Sequence, residues 1–258
     1  MRHISFCQTC RNRLWQLEQT LSVNIDALGD DCELVLVDYG STDGLAGWIW
    51  KNFAKFIANG QMLFFEVAGD VGWSAPRAKN LAHRLSRGDY VFNLDADNFV
   101  TQADIQSIGE ARRLQQAAHQ WTGSWKDGSY GRIGMPRDLF FRLGGYDETM
   151  LPMGAQDMDI LKRVVALGQD LRRLPTPGRN ALLNSFMDKV ANVFAATEDE
   201  ATAEERWNTM ETINQHLSEM RMFIEGPCRR GGYQTFKGRL NGADVIIDGL
   251  NGRHHIRA

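Results

Sequence analysis

The sequence predicts an α/β protein built on a mostly parallel sheet flanked by helices, with a helical and hairpin extension at its C-terminal end. Two observations predict it. Short apolar runs at residues 4–7, 33–38, 62–67 and 91–94 alternate with stretches whose apolar residues recur every three or four positions, the pattern of buried strands joined by helices. Two of those runs end in carboxylates, Asp38 in one and the pair Asp95 and Asp97 in the other. In an open parallel sheet the carboxyl ends of the strands are where ligands bind.

The stretch Val91-Phe92-Asn93-Leu94-Asp95-Ala96-Asp97-Asn98 anchors the reading. A buried strand has no use for two bare carboxylates unless they sit where the backbone leaves the sheet. Paired acids there suit a hard divalent cation, Mg²⁺ or Mn²⁺, which takes oxygen ligands and shares them with substrate phosphates. Taken alone, the same residues would also make a solvated acidic turn.

At 258 residues the chain can hold one large α/β domain, or a domain with an appendage. A net charge of −3 supplies no overall attraction for nucleic acid. No stretch approaches the ~18 consecutive apolar residues of a membrane span, and Met1-Arg2-His3-Ile4-Ser5-Phe6 turns polar too soon for a signal peptide. Four cysteines make no disulfide framework in a chain this long. A cytoplasmic setting is expected, with peripheral contact to a membrane left open.

In order along the chain, Ile4-Ser5-Phe6-Cys7 reads as the first strand, and residues 11–21, with Leu14, Leu17 and Leu21, as the first helix. Cys7-Gln8-Thr9-Cys10 between them could be a redox pair or half a zinc site. No second CxxC supports zinc and nothing else supports a redox fold, so core packing is the better reading. The strand 33–38 runs into Asp38-Tyr39-Gly40-Ser41-Thr42-Asp43-Gly44, a tight turn in which Asp38 can accept a uracil imide or a ribose hydroxyl. No GxGxxG is present, which argues against a nicotinamide site. After the third strand, Gly72-Trp73-Ser74-Ala75-Pro76-Arg77-Ala78-Lys79-Asn80 opens a helix whose basic residues suit a phosphate. A solvated helix face explains Arg84 and Arg87 equally well.

Beyond Asp97, Ile105, Ile108, Ala111, Leu114 and Ala118 mark an amphipathic helix. Residues 121–134, rich in Gly, Ser and Trp, read as a surface loop whose aromatics, Trp125 and Tyr130, could face a ligand or simply pack. Gly154-Ala155-Gln156-Asp157-Met158-Asp159 then begins a helix stopped by Gly168. Its two acids fit either N-terminal capping or a base held ionised at a helix start. The turn Pro175-Thr176-Pro177-Gly178 lies near the edge of the sheet-forming region, and the chain is expected to divide into residues 1–195 and an extension 196–258. In the extension, Trp207, Met210, Ile213, Leu217, Met220 and Ile224 form a stripe expected to be core, ahead of a short hairpin over Asp244-Val245-Ile246-Ile247-Asp248 and Asn251-Gly252.

Taken together, Asp38-Tyr39-Gly40-Ser41-Thr42-Asp43-Gly44, the pair Lys79-Asn80, Gly88-Asp89-Tyr90-Val91 and Leu94-Asp95-Ala96-Asp97 resemble, in order and interval, the family-2-like glycosyltransferases of the GT-A fold. Gly144-Gly145-Tyr146-Asp147-Glu148 and the acidic helix start resemble the acceptor-side motif of galactosyltransferase domains. The resemblance implies a nucleotide-sugar donor, a UDP-sugar being favoured, bound through Thr9, Arg11, Asp38, Lys79 and Asp95, with Arg77 as an alternative for the diphosphate. It implies Mn²⁺ or Mg²⁺ on Asp97 through the Asp-x-Asp motif. It also implies Asp157 as catalytic base, and an acceptor contacted by Trp125, Tyr130 and Asp159. Three departures stand out. Tyr39 replaces the usual Asn, Gln156 takes the place of a Glu, and residues 180–193 lack the His that often completes the metal site, so Asn184, water, His216, His254 or His255 would substitute. The implied activity is transfer of a sugar to a hydroxyl of a glycan or similar acceptor with inversion, as in polysaccharide biosynthesis. A sugar nucleotidyltransferase and a non-catalytic nucleotide-sugar or glycan binder are the rival readings, and the oligomeric state is open.

Overall fold

The structure is a computed structural model that describes residues 3–113, 117–122, 127–175, 181–194, 196–229, 234–247 and 256–257. In chain order the elements are β1 (Ile4–Cys10), α1 (Leu14–Ala27), β2 (Cys32–Asp38), α2 (Leu45–Ala58), β3 (Met62–Val67), α3 (Ala75–Leu85), β4 (Tyr90–Asn93) and α4 (Gln102–Arg113). There follow β5 (Ala117–Thr122), β6 (Ile133–Pro136), α5 (Arg137–Arg142), α6 (Gln156–Ala166), β7 (Asp170–Pro175), α7 (Phe186–Val190), α8 (Glu200–Glu225), β8 (Phe236–Leu240), β9 (Ala243–Ile247) and β10 (Ile256–Arg257).

The strands form one sheet in the order β10-β9-β8-β3-β2-β1-β4-β6-β5-β7. Its centre, β3-β2-β1-β4, is all parallel, as the continuous apolar runs predict. Each of these strands is buried on both faces. One face packs α1, α2 and α4 on Phe6, Leu34, Leu36, Phe64 and Phe92, and the other packs α3, α5 and α6 on Val35, Val37, Phe65 and Val91. The β1 residues alternate between these layers, as a period of two demands. Cys10 belongs to the first layer and Cys7 to the second, so the CxxC is split across the sheet and both thiols lie buried in core.

Several local expectations are revised. The first helix begins at Leu14, not at residue 11, because β1 runs on to Cys10. Ala117–Thr122 is a strand, not the end of a helix and the start of a loop. It inserts between β6 and β7, and Trp121 is fully buried there with its indole N–H donating to Ser107 Oγ at 3.0 Å. In the extension, α8 starts on an Asp199 cap and ends at Gly226. Of the expected stripe, Met210 is buried and Trp207 packs against the same cluster, whereas Ile213, Met220 and Ile224 are exposed and Ala203, Asn214 and Ser218 turn inward. The reason is polar. The Asn214 amide donates to the carbonyls of Met153 and Gly154 at 3.0 and 2.8 Å, and accepts from Leu151 N–H at 2.7 Å. The β8–β9 hairpin turns at Asn241-Gly242 and adds antiparallel to β3, so the extension lengthens the central sheet. The expected Asn251-Gly252 turn lies outside the described residues.

Candidate active site

Parallel register carries the strand-end acids to one edge. Cys10 of β1 pairs with Asp38 of β2, and Cys7 pairs with Asn93 at the end of β4, two residues before Asp95. The chain then makes a tight turn closed by Asn98 N–H on Asp95 O at 3.0 Å. The Asp-x-Asp acids therefore stand at the carboxyl edge beside Asp38.

The centre of this edge is a cluster that joins distant parts of the chain. Lys79, on the first turns of α3, is buried, and its ammonium lies 2.9 Å from Asp157 Oδ1 and 3.2 Å from Asp95 Oδ1. Burial alone would depress the Lys79 pKa, but Asp157 and Asp95 outweigh it and raise it, so the side chain is charged. The Asp157 carboxyl is raised by burial, with Lys79 pulling it back down and Asp95 pushing it up. The other oxygens of the two acids meet over Gly131. A Cβ there would stand 2.4 Å from Asp95 Oδ2 and 3.3 Å from Asp157 Oδ2, so only glycine fits. Asn93 holds the arrangement by donating to Asp95 Oδ1 at 3.1 Å and to Gly131 O at 2.8 Å.

Asp157 owes its position to the helix start. Ala155 caps α6 in the left-handed region with φ 61°, a conformation an L-residue adopts at a cost of about 1–2 kcal/mol. Just before it, Gly154 (φ 89°) lies so close to α8 that a Cβ would reach Glu211 Cα at 2.9 Å. On α3, Asn80 next to Lys79 donates to Tyr146 O at 2.8 Å and to Glu148 Oε1 at 2.9 Å. The Lys79-Asn80 pair thus ties the donor half of the edge to the segment leading into α6.

Asp97 is held by two amides, Asn98 donating to Oδ1 at 2.7 Å and Asn184 to Oδ2. The Asn184 orientation is fixed, because its own Oδ1 accepts from Arg13 at 2.8 Å and from Gln16 at 2.5 Å. Burial, then the nearby charge of Asp95, pushes the Asp97 carboxyl up to about 6. Such an excess of negative charge is what a divalent cation relieves, so the residues present fit one. Among the described residues no three His, Cys, Asp or Glu side chains gather as a cage.

The remaining expected residues fall in different places. Asp38 is buried, closes its turn by accepting Ser41 N–H at 2.8 Å, and has its carboxyl raised chiefly by burial. Thr9 is the penultimate residue of β1, on the same edge. Arg11 donates to Tyr39 O at 3.0 Å and to Asp70 Oδ1 at 2.9 Å. Tyr39 is fully enclosed against Trp73 and Phe236, and so packs instead of reaching a base. Tyr130 is 43% exposed just ahead of Gly131, its ring open to solvent, and Trp125 lies outside the described residues.

Two residues stand in surroundings that the sequence did not suggest. Lys79, expected on an open diphosphate, has its ammonium committed to two carboxylates. Asp159, expected at the acceptor, is fully buried about 200° around α6 from Asp157, where it accepts from Arg163 at 2.7 Å and from Ser218 at 2.7 Å. A carboxylate enclosed in that way has no face for a ligand. Sequence reading passed over Gly131 altogether and gave Tyr146 no role, although the Gly-rich loop and the Gly-Gly-Tyr motif that contain them were both noticed.

The family described as Glycosyl transferase family 2 matches residues 5–127. Among solved structures, the mannosyltransferase PcManGT from Pyrobaculum calidifontis, in complex with GDP-Man and Mn²⁺, is similar with a TM-score of 0.62 at 18% identity, over 89% of this chain and 66% of that one. TarS of S. aureus, in complex with UDP-GlcNAc, is similar with a TM-score of 0.54 at 13% identity, over 86% of this chain and 76% of that one. The chain thus spans just under two thirds of the mannosyltransferase. Comparison with curated protein sequences finds no match. At such identities the structural likeness is one of fold, and the α/β architecture with a parallel sheet centre is common to all three.

Proposed function

We infer, for a chain that is a glycosyltransferase of the GT-A fold, that it moves a sugar from a nucleotide-diphosphate donor to an acceptor hydroxyl by direct displacement with inversion, with Asp157 as general base. The observation that carries this reading is the position of Asp157. Its carboxylate stands at the carboxyl edge of the sheet, in one cluster with Asp95 through Lys79, on the edge where β2 also ends at Asp38. Oδ1 accepts from Lys79, the Tyr146 side chain also hydrogen-bonds the carboxylate, and Oδ2 faces Gly131.

Chemically, the Asp157 carboxylate accepts the proton of the acceptor hydroxyl as its oxygen attacks the anomeric carbon, and the bond to the leaving diphosphate breaks on the opposite side. Asp97 would hold Mn²⁺ or Mg²⁺, which when bound neutralises charge on the diphosphate. Asp38 would accept from the base or ribose, and Thr9 and Arg11 would flank the nucleotide. A UDP-sugar is the favoured donor, since Asp38 can pair with a uracil imide. Tyr130, exposed ahead of Gly131, offers an aromatic face to a sugar acceptor such as a growing glycan. We take residues 1–195 as the catalytic unit, with 196–258 as an extension that completes its sheet. No helix among the described residues is long and apolar enough to cross a membrane, and a cytoplasmic enzyme working on soluble or membrane-surface acceptors is consistent with this.

Asp157→Asn tests the reading. Asparagine is nearly isosteric and removes only the proton acceptor, so folding and UDP binding persist while transfer falls by at least about a hundredfold. Transfer within a few fold of wild type would overturn the base assignment. Product with the donor's own anomeric configuration, read by NMR, would overturn inversion.

A further inference from the structure

The geometry assigns Lys79 as a positioning residue for the general base, tying Asp157 to Asp95 in place of contacting the donor diphosphate. This rests on the reading of Asp157 as base. The ammonium lies within hydrogen-bond distance of one oxygen on each acid, and its side chain is only 4% exposed. A third contact is the Tyr146 ring, 5.4 Å from Nζ, which closes the cationic end with a π face. With two carboxylates and a ring around it, the ammonium has little direction left from which a diphosphate could reach it.

The arrangement answers an electrostatic problem. Asp95 and Asp157 converge on Gly131 from opposite halves of the chain, and the Lys79 ammonium stands between one oxygen of each. The groups facing Asp157 are Lys79 from α3, Asp95 from the turn after β4, Tyr146 from the segment after α5 and Tyr130 from the loop before β6. Lys79 is the one cation among these four. Burial and Asp95 both favour the neutral acid, and the bridging ammonium opposes them, with a smaller contribution from the Tyr146 hydrogen bond. The same two contacts fix the carboxylate in space, since Lys79 is itself anchored along α3.

The test is the ionisation of Asp157 observed directly, by NMR of protein carrying ¹³C-labelled aspartate carboxyls, with Asp157→Asn identifying the resonance. In the wild type the Asp157 midpoint is expected below neutral. In Lys79→Met it is expected to rise by about 1–3 pH units, the shift typical of losing an opposite charge at this distance. Lys79→Arg, which keeps the charge, is expected to stay close to wild type. The acid limb of the pH–rate profile should move with the NMR midpoint. Affinity for UDP in Mn²⁺ should change less than about threefold in Lys79→Met, against a tenfold or greater loss if the ammonium held the diphosphate. An unshifted midpoint in Lys79→Met overturns the inference, as does a large loss of UDP affinity. A wild-type midpoint above neutral overturns it without any variant, which keeps the test valid should Lys79→Met not fold. If Asp157→Asn transfers sugar normally, the base reading fails instead, and the midpoints still report whether Lys79 controls the ionisation.

Discussion

Replacing Gly131 with alanine would put a methyl group where Asp95 and Asp157 meet, and the structure allows its effect to be worked out. The new Cβ would lie 2.4 Å from Asp95 Oδ2, 3.3 Å from Asp157 Oδ2 and 3.4 Å from Asn93 Nδ2. Ordinary contact begins near ~3.5 Å, so the Asp95 carboxylate must retreat by about 1 Å and Asp157 by a few tenths. The backbone raises no objection, because Gly131 is not among the glycines in the left-handed region. Restricting the unfolded chain would even favour alanine by about 0.4–1 kcal/mol. Overpacking a filled site costs about 1–3 kcal/mol, so the net loss is between zero and about 2.5 kcal/mol, a fall of at most about 10 °C in Tm. Catalysis should suffer far more, since a misplacement of about 1 Å in a reacting constellation costs on the order of a hundredfold. Melting followed by fluorescence, beside nucleoside diphosphate release from a sugar donor, separates the two effects. Wild-type turnover in Gly131→Ala would refute the convergence of the two acids. So would a loss of stability well beyond overpacking, which would mean that the glycine serves the fold and not the site.

Three further outcomes follow from the same geometry. Asp97→Ala should weaken UDP binding in Mn²⁺ by at least about tenfold and change little in chelator, as calorimetry would read; equal affinity in Mn²⁺ would remove Asp97 from the metal site. Asp159→Ala should cost about 3–5 kcal/mol in urea unfolding, because it leaves Arg163 buried without its partner, whereas an acceptor residue would lose activity at unchanged stability. His83 is buried against Phe140, donates Nδ1–H to Lys79 O at 2.7 Å, and has its pKa lowered to about 3, mainly by burial. Its folded pKa lies below the ordinary 6.5, so its contribution to stability is complete above pH 6.5 and is lost as pH falls from there toward about 3. The slope should be up to about 1.4 kcal/mol per pH unit, and His83→Gln should flatten it; an unchanged slope would show that other groups set the acid limit.

What could be read in the sequence was whatever depends on local order. Apolar runs ending in Asp38 and Asp95 had no explanation inside a sheet, so the edge and its acids followed from position alone. The Asp157 helix start was legible for the same reason. Lys79 was noticed, but its contact with Asp157 was not, because the two are 78 residues apart and nothing local reveals the pairing. Asp159 looked like its neighbour Asp157 although the helix turns it into a buried ion network with Arg163. β5 escaped because His119 and Gln120 break the apolar run, yet both are buried between β6 and β7, with Gln120 donating to Tyr130 O at 2.8 Å. In α8 the apolar periodicity was real, but Asn214 and Ser218 found better partners in backbone carbonyls and Asp159 than the apolar face found in the core. Hydrophobic patterning predicts burial only where no stronger polar demand competes for the face.

The division of Cys7 and Cys10 between the two faces of β1 has a consequence for how the molecule comes apart. Three residues apart in sequence, the two thiols are walled off from one another by the sheet itself and cannot join without β1 leaving it. Both are held far from the thiolate form by burial, Cys7 and Cys10 alike. Alkylation of either therefore requires its own layer to open. Cys10 becomes a marker for release of the α1–α2 side and Cys7 for release of the α3–α5 side, on a strand too short for either event to pass unnoticed by the other.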